Sequence, residues 1–185
     1  MNYAKLAFTD AVKNLQNQNG SRKGYDRMEK YSSTVGLTLN EIGLIEGRDS
    51  FYMASIGANG FPYIQHRGGP KGFLKVLDPQ TLAFIDFSGN KQYISVGNVK
   101  TNNKVSLILV DYPRKSRLKL YAEVEVLALE ENPEMVEKLK LDGYQYNPER
   151  IMVFHVKAFD WNCPQHITPR YTEEEIEQAF ASQKA

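Results

Sequence analysis

The chain has 185 residues, enough for one domain with a real core and too few for two comfortable ones. Its hydrophobic share of 42% and charged share of 24% are ordinary globular usage, and a formal net charge of +1 leaves no broad basic field for nucleic-acid phosphates. The single cysteine, Cys163, excludes an intrachain disulfide framework, and no run approaches the roughly 18–20 apolar residues of a membrane span. Lys5, Asp10 and Lys13 break up the first residues, which do not read as a secretory signal. The expectation is a cytoplasmic protein that binds neither nucleic acid nor membrane.

Residues 2–17 carry Tyr3, Leu6, Ala7, Val12 and Leu15 at helical spacing, and Asn19-Gly20 ends the pattern. Residues 20–37 are polar and read as a loop. Thr38-Leu39-Asn40-Glu41 has the form of a capping box, in which the two side chains satisfy each other's free backbone donors, and predicts a short helix to about Gly47. Phe51–Gly57 and Phe61–Arg67 flank Asn59-Gly60, a strong hairpin signal. Thr81–Phe87 is rich in β formers and follows the turn signal Asp78-Pro79. Lys91–Thr101 reads as a short helix. Lys104–Asp111 is almost continuously apolar and is expected to be buried on both faces.

From Leu118 to Val126 apolar residues alternate with Lys119, Tyr121, Glu123 and Glu125, the period of a half-exposed strand; Ile151–Val156 is another strand. Asn132-Pro133 opens a helix with proline at its first position, and Thr172-Glu173-Glu174-Glu175 is a second capping box opening a C-terminal helix. Eleven Tyr and nine Phe suit pleated surfaces, and strands dominate the centre with helices at the ends. The pattern favours a mainly β, antiparallel barrel with peripheral helices over a doubly wound sheet.

Three segments carry chemistry. Gln65-His66-Arg67-Gly68-Gly69-Pro70-Lys71-Gly72 follows a strand, and its glycines let backbone approach a flat ligand while His66, Arg67 and Lys71 offer donors; a loop that merely turns a corner would share this composition. Asp86-Phe87-Ser88-Gly89-Asn90-Lys91-Gln92 lies where a strand hands over to a helix. Free N–H groups at a helix start favour anions, so a phosphate suits it, although an ordinary helix start can look the same. Phe159-Asp160-Trp161-Asn162-Cys163-Pro164-Gln165-His166 gathers the only Trp and the only Cys. Cys163 and His166 have the spacing of half a zinc site, but no second pair stands elsewhere, so no metal is assigned.

These segments, the second continuing through Tyr93-Ile94-Ser95, together with Arg48-Asp49-Ser50-Phe51-Tyr52 and Gly60-Phe61-Pro62-Tyr63, resemble in order and spacing the pyridoxamine 5′-phosphate oxidase-like FMN-binding split-barrel family over roughly residues 35–170. The resemblance implies a six-stranded antiparallel split β-barrel of Greek-key type, a homodimer with FMN at the subunit interface. It implies one domain over 1–185, with N-terminal helices in 2–48, the barrel in 50–158 and a flavin-closing segment and helix in 159–185. Gln65, His66, Arg67 and Gly68 would run along the flavin ring and ribityl chain. Asp86, Ser88, Asn90, Lys91 and Gln92 would meet the phosphate, with Lys91 central. Trp161, Asn162 and Gln165 would close the site from the partner subunit.

The chain departs from the vitamin B6 oxidase itself at three places. Asn90 stands where the oxidase has arginine beside the lysine, the strand at Gln65–Pro70 is polar and glycine-rich, and the late arginine–histidine pair has no match. What carries over is flavin binding. A small-molecule oxidoreductase, with a nicotinamide reductant as one option, and a non-catalytic flavin carrier or sensor would use the same pocket, and haem or a deazaflavin could replace FMN. No catalytic residue is assigned; His66 is expected to contact the ligand without transferring protons.

Overall fold

Seven strands join one antiparallel sheet in the computed structural model, which describes residues 1–182; the last three residues of the expected closing segment, 183–185, lie outside the described residues. The strands are β1 (Ser50–Ile56), β2 (Pro62–Gly68), β3 (Lys75–Asp78), β4 (Thr81–Phe87), β5 (Lys104–Asp111), β6 (Ser116–Leu127) and β7 (Pro148–Asn162). Their order across the sheet is β2-β1-β5-β6-β7-β4-β3. Two hairpins, β1–β2 and β3–β4, therefore flank the meander β5–β6–β7, with the non-sequential pairings β1–β5 and β4–β7 typical of Greek-key connections. The sheet does not close, as a split barrel requires. The strand count is seven rather than six, because the four-residue β3, just past the glycine-rich loop, is too short to show a period.

The sheet curls around an aromatic core. Phe51 of β1 meets Phe84 of β4 edge-on, with ring centroids 5.5 Å apart, although three strands separate β1 from β4 in the sheet. Phe84 stacks on Phe154 of β7 at 6.0 Å, and Phe73, from the loop after β2, stacks on Phe51 at 5.7 Å. Met53, Leu107, Leu109, Leu118 and Leu120 fill the space around them with 1% exposure or less. Burial of this kind contributes roughly 25 cal/mol per Å² of apolar surface and is the main force holding the curl. A smaller cluster of Ala83, Ile85, Ile151 and Val153 packs with Leu139 of the helix α6 given below.

Helices decorate the rim: α1 (Tyr3–Ala7), α2 (Asp10–Gln18), α3 (Arg22–Tyr31), α4 (Leu39–Glu46), α5 (Ile94–Thr101), α6 (Pro133–Leu139) and α7 (Glu173–Ser182). The expected helix 2–17 breaks at Phe8, because Thr9 caps α2 through its side chain. Residues 20–37 are not all loop, since they hold α3. That helix buries no residue, and Lys13–Glu29 at 2.7 Å, Arg22–Glu29 and Lys30–Asp26 at 2.8 Å tie it to α2 and to itself. The capping box at Thr38 and Glu41 forms as expected, and Thr172 and Glu175 exchange the same pair of bonds before α7.

Strand β5 does not bury both faces. Val105, Leu107, Leu109 and Asp111 point into the core, while Ser106, Ile108 and Val110 are half-buried on the outside. Among the described residues, no helix is long and apolar enough to cross a membrane.

Candidate functional site

The site forms where β4 ends. Ser88 N–H donates to Asn147 O (2.8 Å) and ties the chain down, and Gln92 N–H donates to Asn90 Oδ1 (3.2 Å) in a tight turn. Lys91 (φ 60°) and Tyr93 (φ 55°) both adopt the left-handed region. Non-glycine residues held there cost of order 1 kcal/mol or more each, and such strain gathers at ligand sites. It also delays the helix: α5 begins at Ile94 instead of Lys91. Its N-cap residue Tyr93 makes no side-chain capping bond, so no side chain of the helix's own terminus satisfies the first-turn donors.

Beneath this loop lies a buried carboxylate. Asp86, 3% exposed, faces Arg150 directly across the β4–β7 pairing. Arg150 Nη1 lies 3.2 Å from Asp86 Oδ2, and Arg67 Nη1, reaching over from β2, lies 2.8 Å from Asp86 Oδ1. Strand β2 is one end of the open sheet and β4 is next to the other end, so Asp86 bridges the split. Burial pushes the Asp86 carboxyl above the usual carboxylate range against the pull of the two guanidiniums. Arg150 is fully engaged: its Nη2 lies 2.6 Å from Glu149 Oε1, and its guanidinium sits 5.3 Å over the Tyr93 ring. The adjacent Glu149 carboxylate holds the Tyr93 phenol above its ordinary range.

A cavity of about 220 Å³ opens on this network. Of the residues singled out from sequence, Gln65, Arg67, Asp86, Asn90, Lys91 and Gln92 line it. The alternation of β2 explains the first two, since Tyr63, Gln65 and Arg67 share the half-buried face and Tyr63 donates to Gln65 Oε1 at 2.5 Å. His66 falls on the opposite, exposed face, edge-on to Tyr52 with centroids 5.3 Å apart. Gly68 pairs with Ser50, and a Cβ there would come 3.0 Å from the His66 ring. Ser88 is exposed and does not line the cavity.

The late segment lies elsewhere within the chain. Trp161 Nε1 donates to Glu41 Oε1 (2.5 Å) beside α4, Asn162 ends β7 opposite Arg117, and Gln165 is exposed in the following turn.

Tyr93 and Ser95, which the family resemblance covers without giving them a role, also line the cavity, as do Glu149 and Arg150, which no sequence segment brings forward. Arg150 is 64 positions from Asp86 and becomes its partner only through strand register, for which no local pattern exists. Ser95 is 4% exposed, and its hydroxyl has no hydrogen-bond partner; the same is true of the buried Arg67 Nε. Two unsatisfied buried polar groups beside one cavity fit an anionic ligand, because each has hydrogen-bonding capacity that the protein leaves unused.

The two arginines depend on the one carboxylate. Asp86→Ala is expected to destabilise the fold by about 3 kcal/mol or more, since removing one partner strands buried charge. Urea denaturation measures this, and a loss within about 0.5 kcal/mol would contradict the role of Asp86 as a clasp.

Residues 43–159 match the sequence profile of the family described as pyridoxamine 5'-phosphate oxidase. No curated protein matches the chain. Among solved structures, the chain is similar to a protein from Clostridium acetobutylicum related to general stress protein 26, of the pyridoxinephosphate oxidase family. The two are 19% identical over 75% of this chain and 95% of that one, with a TM-score of 0.52. It is also similar to HupZ of Group A Streptococcus (16% identity, 73% and 99% covered, TM-score 0.52) and to an FMN-binding protein from Syntrophomonas wolfei (14% identity, 80% and 97% covered, TM-score 0.50). At such identities these likenesses speak for the fold alone. The profile match spans well over half the sequence, and on that ground the chain belongs to the pyridoxamine 5′-phosphate oxidase family.

Proposed function

We propose that the chain is a cytoplasmic FMN-binding flavoprotein that receives the FMN phosphate in the cavity between β2, β4 and α5 and acts as an oxidoreductase on a small molecule. The observation that carries this reading is the donor set around the cavity. Arg67 and Arg150 are held by Asp86, and Arg150 also by Glu149, while Lys91 has no ion-pair partner among the described residues. Lys91 is thus the cation left over for a dianionic tail, and Arg67 Nε and the Gln92 amide add donors. Family membership and the FMN-binding protein among the similar structures support the same reading.

Bound flavin would supply the hydride or electron transfer, and the chain's residues would supply orientation and charge. Lys91 and Arg67 anchor the phosphate and so set where the rest of the molecule lies.

The cavity is smaller than the roughly 300–1,000 Å³ of sites that enclose a whole drug-sized ligand. The flavin ring therefore needs a second surface. Tyr52 (41% exposed), Ile56 and Ile64 (66%) form an apolar stretch on the outer face of the β1–β2 hairpin beside His66, and Phe61 (74%) is exposed in the turn that joins the two strands. We assign this face to a second copy of the chain, with the ring between protomers, where Trp161, Asn162 and Gln165 of the late segment would close over it.

Lys91→Ala is expected to weaken FMN binding about tenfold in a flavin-fluorescence titration, the loss of one charge-assisted hydrogen bond. Unchanged affinity would reject the assignment of the phosphate to this cavity. In sedimentation velocity the wild type is expected to run as a dimer and Ile64→Lys as a monomer with weaker FMN retention. A wild-type monomer that keeps FMN would remove the second copy from the proposal.

A further inference from the structure

We infer that Ser95, at the N-terminus of α5, is a phosphate-binding residue that makes the site demand a phosphorylated flavin. The inference rests on the FMN reading above and gives a role to a residue which the family resemblance covers without assigning it one.

Ser95 is the second residue of an eight-residue helix whose N-cap, Tyr93, has left-handed backbone and makes no capping bond. Helix N-termini favour anions because aligned N–H groups leave a partial positive charge there. The hydroxyl is an independent sign of a ligand. It is 96% buried as part of its residue, it has no partner in the protein, and its residue lines the same cavity as Lys91, Gln92 and Arg67.

A buried hydroxyl without a partner is a net cost to the fold. Alanine at this position would remove that cost and would also favour the helix. The cost is explained if the hydroxyl donates to an oxyanion held at the helix start. A phosphomonoester offers three terminal oxygens, enough to accept from Lys91 on the loop, Arg67 Nε on β2 and Ser95 on the helix together. Riboflavin, which lacks the phosphate, offers only a neutral terminal hydroxyl in place of the oxyanion.

The test is Ser95→Ala, titrated with FMN and with riboflavin by fluorescence quenching, together with thermal unfolding of the FMN-free protein. The expected result is FMN affinity about tenfold lower, riboflavin affinity unchanged, and FMN-free protein as stable as the wild type or more so. If Ser95→Ala binds FMN as tightly as the wild type while Lys91→Ala does not, the role of Ser95 is overturned and the FMN reading stands. If FMN and riboflavin weaken equally, Ser95 acts by shaping the cavity and the inference is also overturned. If the wild type itself binds FMN no better than riboflavin, the phosphate reading fails and the inference falls with it.

Discussion

The contact on which the rest of the site depends is the one Asp86 makes with two arginines from different parts of the sheet. An open, curled sheet has two ends that nothing in the strand ladder holds together. Here Arg67 comes from the edge strand β2, and Asp86 and Arg150 from the adjacent strands β4 and β7. The aromatic core brings these strands within reach, since Phe51 meets both Phe84 and Phe154. The carboxylate then fixes where the guanidiniums stand. Desolvation works against the trio, as the raised titration range of Asp86 indicates, so its net contribution to stability is small while its disruption is costly. Such an arrangement makes better sense as a device for orienting donors than as a source of stability.

Much of the fold was legible because the strands carry their period in the sequence. Thr81–Phe87 and Lys104–Asp111 have the bounds the pattern predicts, and Asn59-Gly60 marks the β1–β2 hairpin. What escaped notice lacks an apolar pattern. Helix α3 buries nothing and is held by ion pairs, and β3 has four residues between turns. The outer face of β5 departs from the sequence expectation because Ile108 and Val110 are apolar yet only half-buried, on the same side of the sheet as Tyr52. An apolar residue exposed in one chain looks, in sequence, like a core residue.

The site divides the same way. Residues 86–92 form a local motif, and all of its members but Ser88 meet around the cavity. The alternation of β2 splits the other motif: Gln65 and Arg67 turn in, and His66 turns out beside Tyr52. Arg150 and Glu149 join only through the register of β7 against β4, and Ser95 only through the late start of α5. The left-handed backbone at Lys91 and Tyr93 that shifts this start has no glycine to announce it. A second buried acid, Asp111, also holds two arginines, Arg48 at 3.2 Å and Arg114 at 3.1 Å, so a carboxylate between guanidiniums does not by itself mark a phosphate site. Arg48 Nε is buried without a partner there too, so the difference at Asp86 is the strained loop at a helix start together with the buried Ser95 hydroxyl.

The central claim is that this cavity receives a phosphate. The most direct measurement is a crystal structure of the protein grown with FMN. The account predicts phosphate density within hydrogen-bonding distance of Lys91 Nζ and Arg67 Nε, at the start of α5. Density for the phosphate beside Arg48 and Arg114, or on the surface away from Lys91, would contradict it.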